Sequence, residues 1–216
     1  MIASILARDL GEWQQAGHTA TEALAVFSEI GSEHEKAHAR SVIAVVEHAT
    51  GNVDRAATVA QDCLDVFRRV ADHRCVSGML LLLADVEGDL GHPDEAIRLL
   101  RETLKVATSG AHARTVPFAL ERLARLLEGT QPLSAVALLA AAETARRHGR
   151  MASAAVPDLQ SLRQRTDPGA FRAAWLRGSL ARGGDLVAIS DAISPGLSRP
   201  ELGSRPEPRR IGDSNS

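Results

Sequence analysis

His34-Glu35-Lys36-Ala37-His38 is a literal H-E-x-x-H string. On a helix, histidines at i and i+4 share a face and can bind zinc, with the glutamate as general base toward a metal-bound water. A zinc-dependent hydrolase at His34, Glu35 and His38 is therefore the catalytic hypothesis this chain raises. What it lacks is a third ligand. No Gly-x-x-His extension follows, and the next acidic residue, Glu47, lies on the same helix too far along to serve. The string opens a helix just after a loop, and Glu33 and Glu35 in its first turn favour the helix dipole. A solvated helix N-terminus is the expectation, with no metal bound. The remaining histidines, His18, His48, His73, His92, His112 and His148, are scattered. No serine stands in a Gly-x-Ser-x-Gly context, and no G-x-x-x-x-G-K-[ST] phosphate loop is present. No catalytic residue and no cofactor is expected.

The elements that would position these side chains follow from a repeat. Gly11, Gly51 and Gly91 recur every 40 residues, each followed by Ala16, Ala56 and Ala96, then by Leu24, Leu64 and Leu104. Self-similarity at this period marks stacked units that bury their apolar faces only against neighbours. Apolar residues beside the glycines fall at helical spacing: Val42, Ile43 and Val46 form one stripe, and Met79, Leu80, Leu83 and Val86 form the next. After each glycine a second stripe runs from Ala16 to Phe27, Ala56 to Phe67 and Ala96 to Val106. Each unit is thus an antiparallel helix pair, with Gly51 and Gly91 as left-handed helix stops. In this register the positions of His34, Glu35 and His38 become Arg74, Cys75 and Gly78, then Arg114, Thr115 and Phe118. The string occupies a variable inter-unit junction.

The spacing predicts an all-α, right-handed superhelical array of about four helix pairs with C-terminal capping helices. Units span about 1–30, 33–70, 73–110 and 113–149. The fourth is degenerate, because Gly129 follows Gly91 by 38 residues and its alanine, Ala135, comes six residues on. A cap over 150–193 contains helices at Pro157 to Arg165, Pro168 to about Leu180 with Asp167 as N-cap, and Asp185 to Ile193. Residues 194–216, rich in proline and glycine and nearly without large apolar side chains, are expected to be disordered. Trp13 and Trp175 are expected as packing anchors.

Composition narrows the function classes. Net charge is −2 over 216 residues, so no global field recruits nucleic acid or an anionic membrane. No apolar run approaches the length of a membrane span, and Met79 to Ala84 is ended by Asp85. No secretion signal opens the chain, so Cys63 and Cys75 are expected as reduced thiols in a cytoplasmic protein.

Ala44, Ala84 and Ala124 ahead of the glycine turns, the alanine after each, and Ala23-Leu24, Cys63-Leu64 and Thr103-Leu104 beyond resemble the tetratricopeptide repeat. Further on, Ala135-Val-Ala-Leu-Leu-Ala-Ala-Ala-Glu143, then Phe171-Arg-Ala-Ala-Trp175-Leu-Arg-Gly178, is similar to the end of large ATP-binding bacterial transcriptional regulators of the LuxR type. In those proteins a tetratricopeptide array follows NTPase and DNA-binding domains, neither of which is found here. By the register Met1 corresponds to Ser41, so the first hairpin starts late and the chain is expected to be a C-terminal portion of something longer. The resemblance implies a non-catalytic protein-protein interaction or sensor module. Its concave groove maps to His38, Ser41, Val45, His48, Leu81, Asp85, Glu121, Arg125 and Glu128. The implied partner is a protein or peptide, or another domain of the same regulator, with no direct contact to nucleic acid or membrane. A free-standing adaptor is the alternative.

Overall fold

The computed structural model describes residues 12–109, 113–149, 151 and 159–192. Those residues form ten α-helices and no strand, so the all-α repeat architecture holds. In chain order they are α1 (Trp13–Ile30), α2 (Glu33–Ala49), α3 (Val53–Arg69), α4 (His73–Asp89), α5 (Pro93–Ser109), α6 (Val116–Leu127), α7 (Pro132–His148), α8 (Leu159–Arg165), α9 (Pro168–Leu180) and α10 (Gly184–Asp191). A short 3₁₀ turn, Ala113–Thr115, leads into α6. Sequential helices pack in turn, and α2 with α3, α4 with α5 and α6 with α7 form the pairs. The expected tail, the start of the first hairpin and the opening of the Pro157 helix lie outside the described residues.

One turn, used four times, sets the register. Gly31, Gly51, Ala71 and Gly91 all take left-handed backbone, at φ 77°, 87°, 53° and 78°. At each, the amide after the left-handed residue reaches back five residues: Ser32 to Phe27, Asn52 to Glu47, Asp72 to Phe67 and His92 to Glu87. This bond closes the helix end and satisfies one of its orphan carbonyls. The structural repeat is therefore one helix plus one turn, half the unit visible in the glycines. Gly129 does not share it; there Thr130 and Gln131 both donate to the Leu127 carbonyl, which accounts for the slipped spacing of the fourth pair.

The alanines of the register are contact points. Ala16, Ala56, Ala96 and Ala135 are each fully buried, and Ala44, Ala84 and Ala124 ahead of the turns are buried as well. A methyl group at these sites lets helix axes approach closely, and larger side chains such as Phe67, Leu64, Leu104 and Leu120 fill the space between. One apolar core runs from Ala37 to Leu186. Ala16, Ala20 and Val42 form a separate small cluster joining α1 to α2.

The C-terminal helices continue that core. Leu162 of α8 and Leu186 of α10 are buried in it, and α9 lies against α7 with Gly178 at the closest approach. Asp167 caps α9 by accepting from the Ala170 amide at 2.8 Å, as its Asp-Pro start predicts. The last described helix ends at Asp191 and begins at Gly184, one residue before the predicted Asp185. Arg101 of α5 secures it by donating to the Ser190 carbonyl at 3.0 Å. Trp175 is half-buried and stacks on Phe171, while Trp13 is also half-buried.

Candidate functional site

Because α2, α4 and α6 are the first helices of successive pairs, side chains one unit apart meet across them. His48 on α2 pairs with Asp89 on α4 at 2.8 Å. Asp85 on α4 takes a two-point contact from Arg122 on α6, with Arg122 Nη2 donating to Oδ2 at 2.7 Å and Nε to Oδ1. His34 and His38 on α2 reach Asp72 at the start of α4, Nε2 to Oδ2, at 3.2 and 3.6 Å. These contacts join residues separated by about one unit and tie neighbouring pairs together.

The groove residues expected from the sequence divide accordingly. Eight of the nine are half-buried and Arg125 is exposed. Ser41 donates to the His38 carbonyl of its own helix at 2.7 Å. Val45 and Leu81 lie against the core. Asp85 and His48 are engaged by Arg122 and Asp89 as described. Glu121 accepts from buried Arg146 at 2.6 and 2.8 Å, and the Arg146 guanidinium sits 4.7 Å over the Phe118 ring. That paired guanidinium is held in its charged form by Glu121. Arg125 and Glu128 remain beside Glu121, Ala124 and Leu139, around a shallow depression. Much of the polar character of this face is spent within the protein, and no periodic signal in the sequence distinguishes an internally paired Glu121 from a solvated Arg125.

The expected solvated helix N-terminus at His34 to His38 needs correction. Only 13% of the His38 side chain is exposed, and its ring lies 5.0 Å from that of buried Phe67 and 4.6 Å from that of His34. Burial, followed by the neighbouring His34, lowers the His38 pKa and keeps the ring neutral. Asp72 supplies the third polar group that the helix itself lacks. It caps α4 by accepting from the Cys75 amide at 3.0 Å through Oδ1, which leaves Oδ2 toward the imidazoles. Burial tends to raise the Asp72 pKa, but the bonds from Cys75 and His34 outweigh it and the carboxyl stays below its usual range. The Cys75 sulfur lies 3.6 Å from His38 Nδ1. Glu35, by contrast, is turned back to Ser32 by a side-chain hydrogen bond, which lowers its pKa.

The helix pairs, left-handed turns and buried alanines of the central units coincide with the stretch that a family model matches. Residues 37–109 match the tetratricopeptide repeat. Residues 1–50 match the model of anaphase-promoting complex subunit 5. No curated protein matches the chain. Among solved structures, the fold is similar to the crystal structure of BtubC (BKLC) from P. vanneervenii, with a TM-score of 0.57 and 14% identity, covering 98% of this chain and 85% of that one. At that identity the likeness is one of fold. Tetratricopeptide repeats generally mediate protein-protein interaction, and the matched units are an interaction repeat of that kind. No described helix is long and apolar enough to cross a membrane.

Proposed function

We propose that this chain is a non-catalytic interaction or sensor module of a bacterial transcriptional regulator or signalling ATPase, acting in the cytoplasm. Its partner is a protein or peptide, or another domain of the same regulator. The tetratricopeptide match over residues 37–109 carries the interaction role. The regulator context rests on the alanine-rich α7 and on the Phe171 to Gly178 segment, which resemble the C-terminal part of such proteins.

The docking face is that of α2, α4 and α6. Its inter-unit polar contacts, the Arg122–Asp85 ion pair among them, tie the helices together, so a partner meets a preformed surface and loses less to ordering on binding. Arg125 and Glu128, with half-buried Leu81 and Val45 toward the earlier units, are the side chains offered to it. The proposal is tested by placing a photo-crosslinking residue at Arg125 and, as control, at exposed Arg69 on α3. Crosslinks from position 125 to a nucleotide-binding or DNA-binding polypeptide support the reading. Crosslinks confined to position 69, or to no such polypeptide, overturn it.

A further inference from the structure

We propose that His34, His38 and Asp72 form a binding site for a divalent transition-metal ion, zinc above all, at the junction between the second and third units. The three candidate ligand atoms lie within 4.8 Å of one another. Oδ2 of Asp72 stands 3.2 Å from His34 Nε2 and 3.6 Å from His38 Nε2. A tetrahedral centre with bonds of about 2.0–2.1 Å sets its ligands about 3.3 Å apart, so these separations need little adjustment. Two imidazoles and one carboxylate on neighbouring elements make a three-ligand set that leaves a coordination position for water.

The surroundings engage two of the three ligands, His38 and Asp72, on their far side. Cys75 Sγ lies 3.6 Å from His38 Nδ1, which directs Nε2 of the same ring to the metal. The Cys75 amide donates to Asp72 Oδ1 at 3.0 Å, leaving Oδ2 free to ligate. Glu35 Oε1 is 3.9 Å from His34 Nδ1, beyond hydrogen-bond reach, and lies on the side away from Nε2. Partners of this kind orient metal-binding imidazoles and carboxylates. The ring of Phe67 walls the site, 5.0 Å from the His38 ring and 6.0 Å from the His34 ring.

This geometry gives the ion a bridging role. The histidines belong to α2 and the carboxylate to the turn before α4, so coordination would tie two repeat units together. Glu35 sits beside Nδ1 of His34 and is held by Ser32, so it is not aimed at a water on the metal. The H-E-x-x-H string therefore supplies ligands without supplying a base.

Titrating the full chain with zinc chloride in a non-chelating buffer, followed by calorimetry and thermal melting, tests the assignment. One zinc per chain and a higher melting temperature are expected. His34→Gln and Asp72→Asn should each weaken binding by at least about tenfold, the scale on which even outer partners affect metal sites. Asn caps a helix about as well as Asp, so Asp72→Asn should retain the α4 start while removing the anionic ligand. His34 is the more exposed imidazole, so its variant reports on binding even if the Asp72 variant melts early. Equal affinity in wild type and variants would put zinc on other histidines, and absence of binding would leave a simple hydrogen-bonded cluster; either result overturns the proposal.

Discussion

Gly178 on α9 approaches Ala137 on α7 so closely that a Cβ at position 178 would stand 1.9 Å from the Ala137 carbonyl oxygen and 2.7 Å from its carbonyl carbon. Backbone cannot yield as a flexible side chain would. Gly178→Ala should push α9 off α7 and destabilise the fold by about 2–3 kcal/mol, the upper range for overpacking. Gly88→Ala is the control, because position 88 is exposed, helical and open; it should stabilise by about 0.5–1 kcal/mol. Chemical denaturation of both variants checks the pair.

Ala56 is fully buried where α3 meets its neighbours. Ala56→Arg forces a long charged side chain into a contact built for a methyl group and should abolish cooperative folding. An unchanged melting temperature would show that the 40-residue register is misaligned.

Glu121 and Arg125 are neighbours on α6 with opposite expected behaviour. Glu121→Ala removes the two-point carboxylate partner of the buried Arg146 guanidinium and should cost about 2–4 kcal/mol, below a fully buried pair because Glu121 retains some exposure. Arg125→Glu should leave stability within about 0.5 kcal/mol while weakening partner binding. Thermal melts and the crosslinking assay separate the two effects.

Cys63 and Cys75 are free thiols. Burial pushes Cys63 up to about 11 and Cys75 up to about 12, so both carry little thiolate at neutral pH. Alkylation by iodoacetamide should run at least about a hundredfold slower than for a free thiol in the folded protein, and at the ordinary rate in denaturant. Mass spectrometry of timed samples reads both rates.

Ala71 holds the left-handed position that glycine holds in the equivalent turns, at φ 53°. A Cβ in that conformation costs about 1–2 kcal/mol, partly offset by the greater unfolded-state freedom of glycine. Ala71→Gly should therefore raise stability by about 0.5–1 kcal/mol, and Gly31→Ala should lower it. Denaturation midpoints with unchanged slope are the measurement.

Much of the scaffold was legible along the chain. Gly51 and Gly91 marked left-handed turns, Ala56 and Ala96 marked close contacts, and Asp167-Pro168 marked the start of α9, since each depends on local backbone chemistry or on a period that a helix repeats. The loop at Ala71 to His73 was legible too, but the left-handed conformation of Ala71 was not, because its residue type disguises it. Whether a polar side chain is free or engaged was a different matter. Glu121 and Arg125 share a helix and an apparent face, but only the packing of α7 brings Arg146 to the first and leaves the second in solvent.

The H-E-x-x-H string shows the same division. Its spacing alone establishes that His34 and His38 lie one helical turn apart and can act on one centre. No third group follows in the helix, because the third group is Asp72, placed there by the turn that reverses the chain between α3 and α4. Local periodicity determines which side chains share a helix face; stacking of successive pairs decides which ones meet, because contacts between units join residues too far apart in sequence for any helical period to connect.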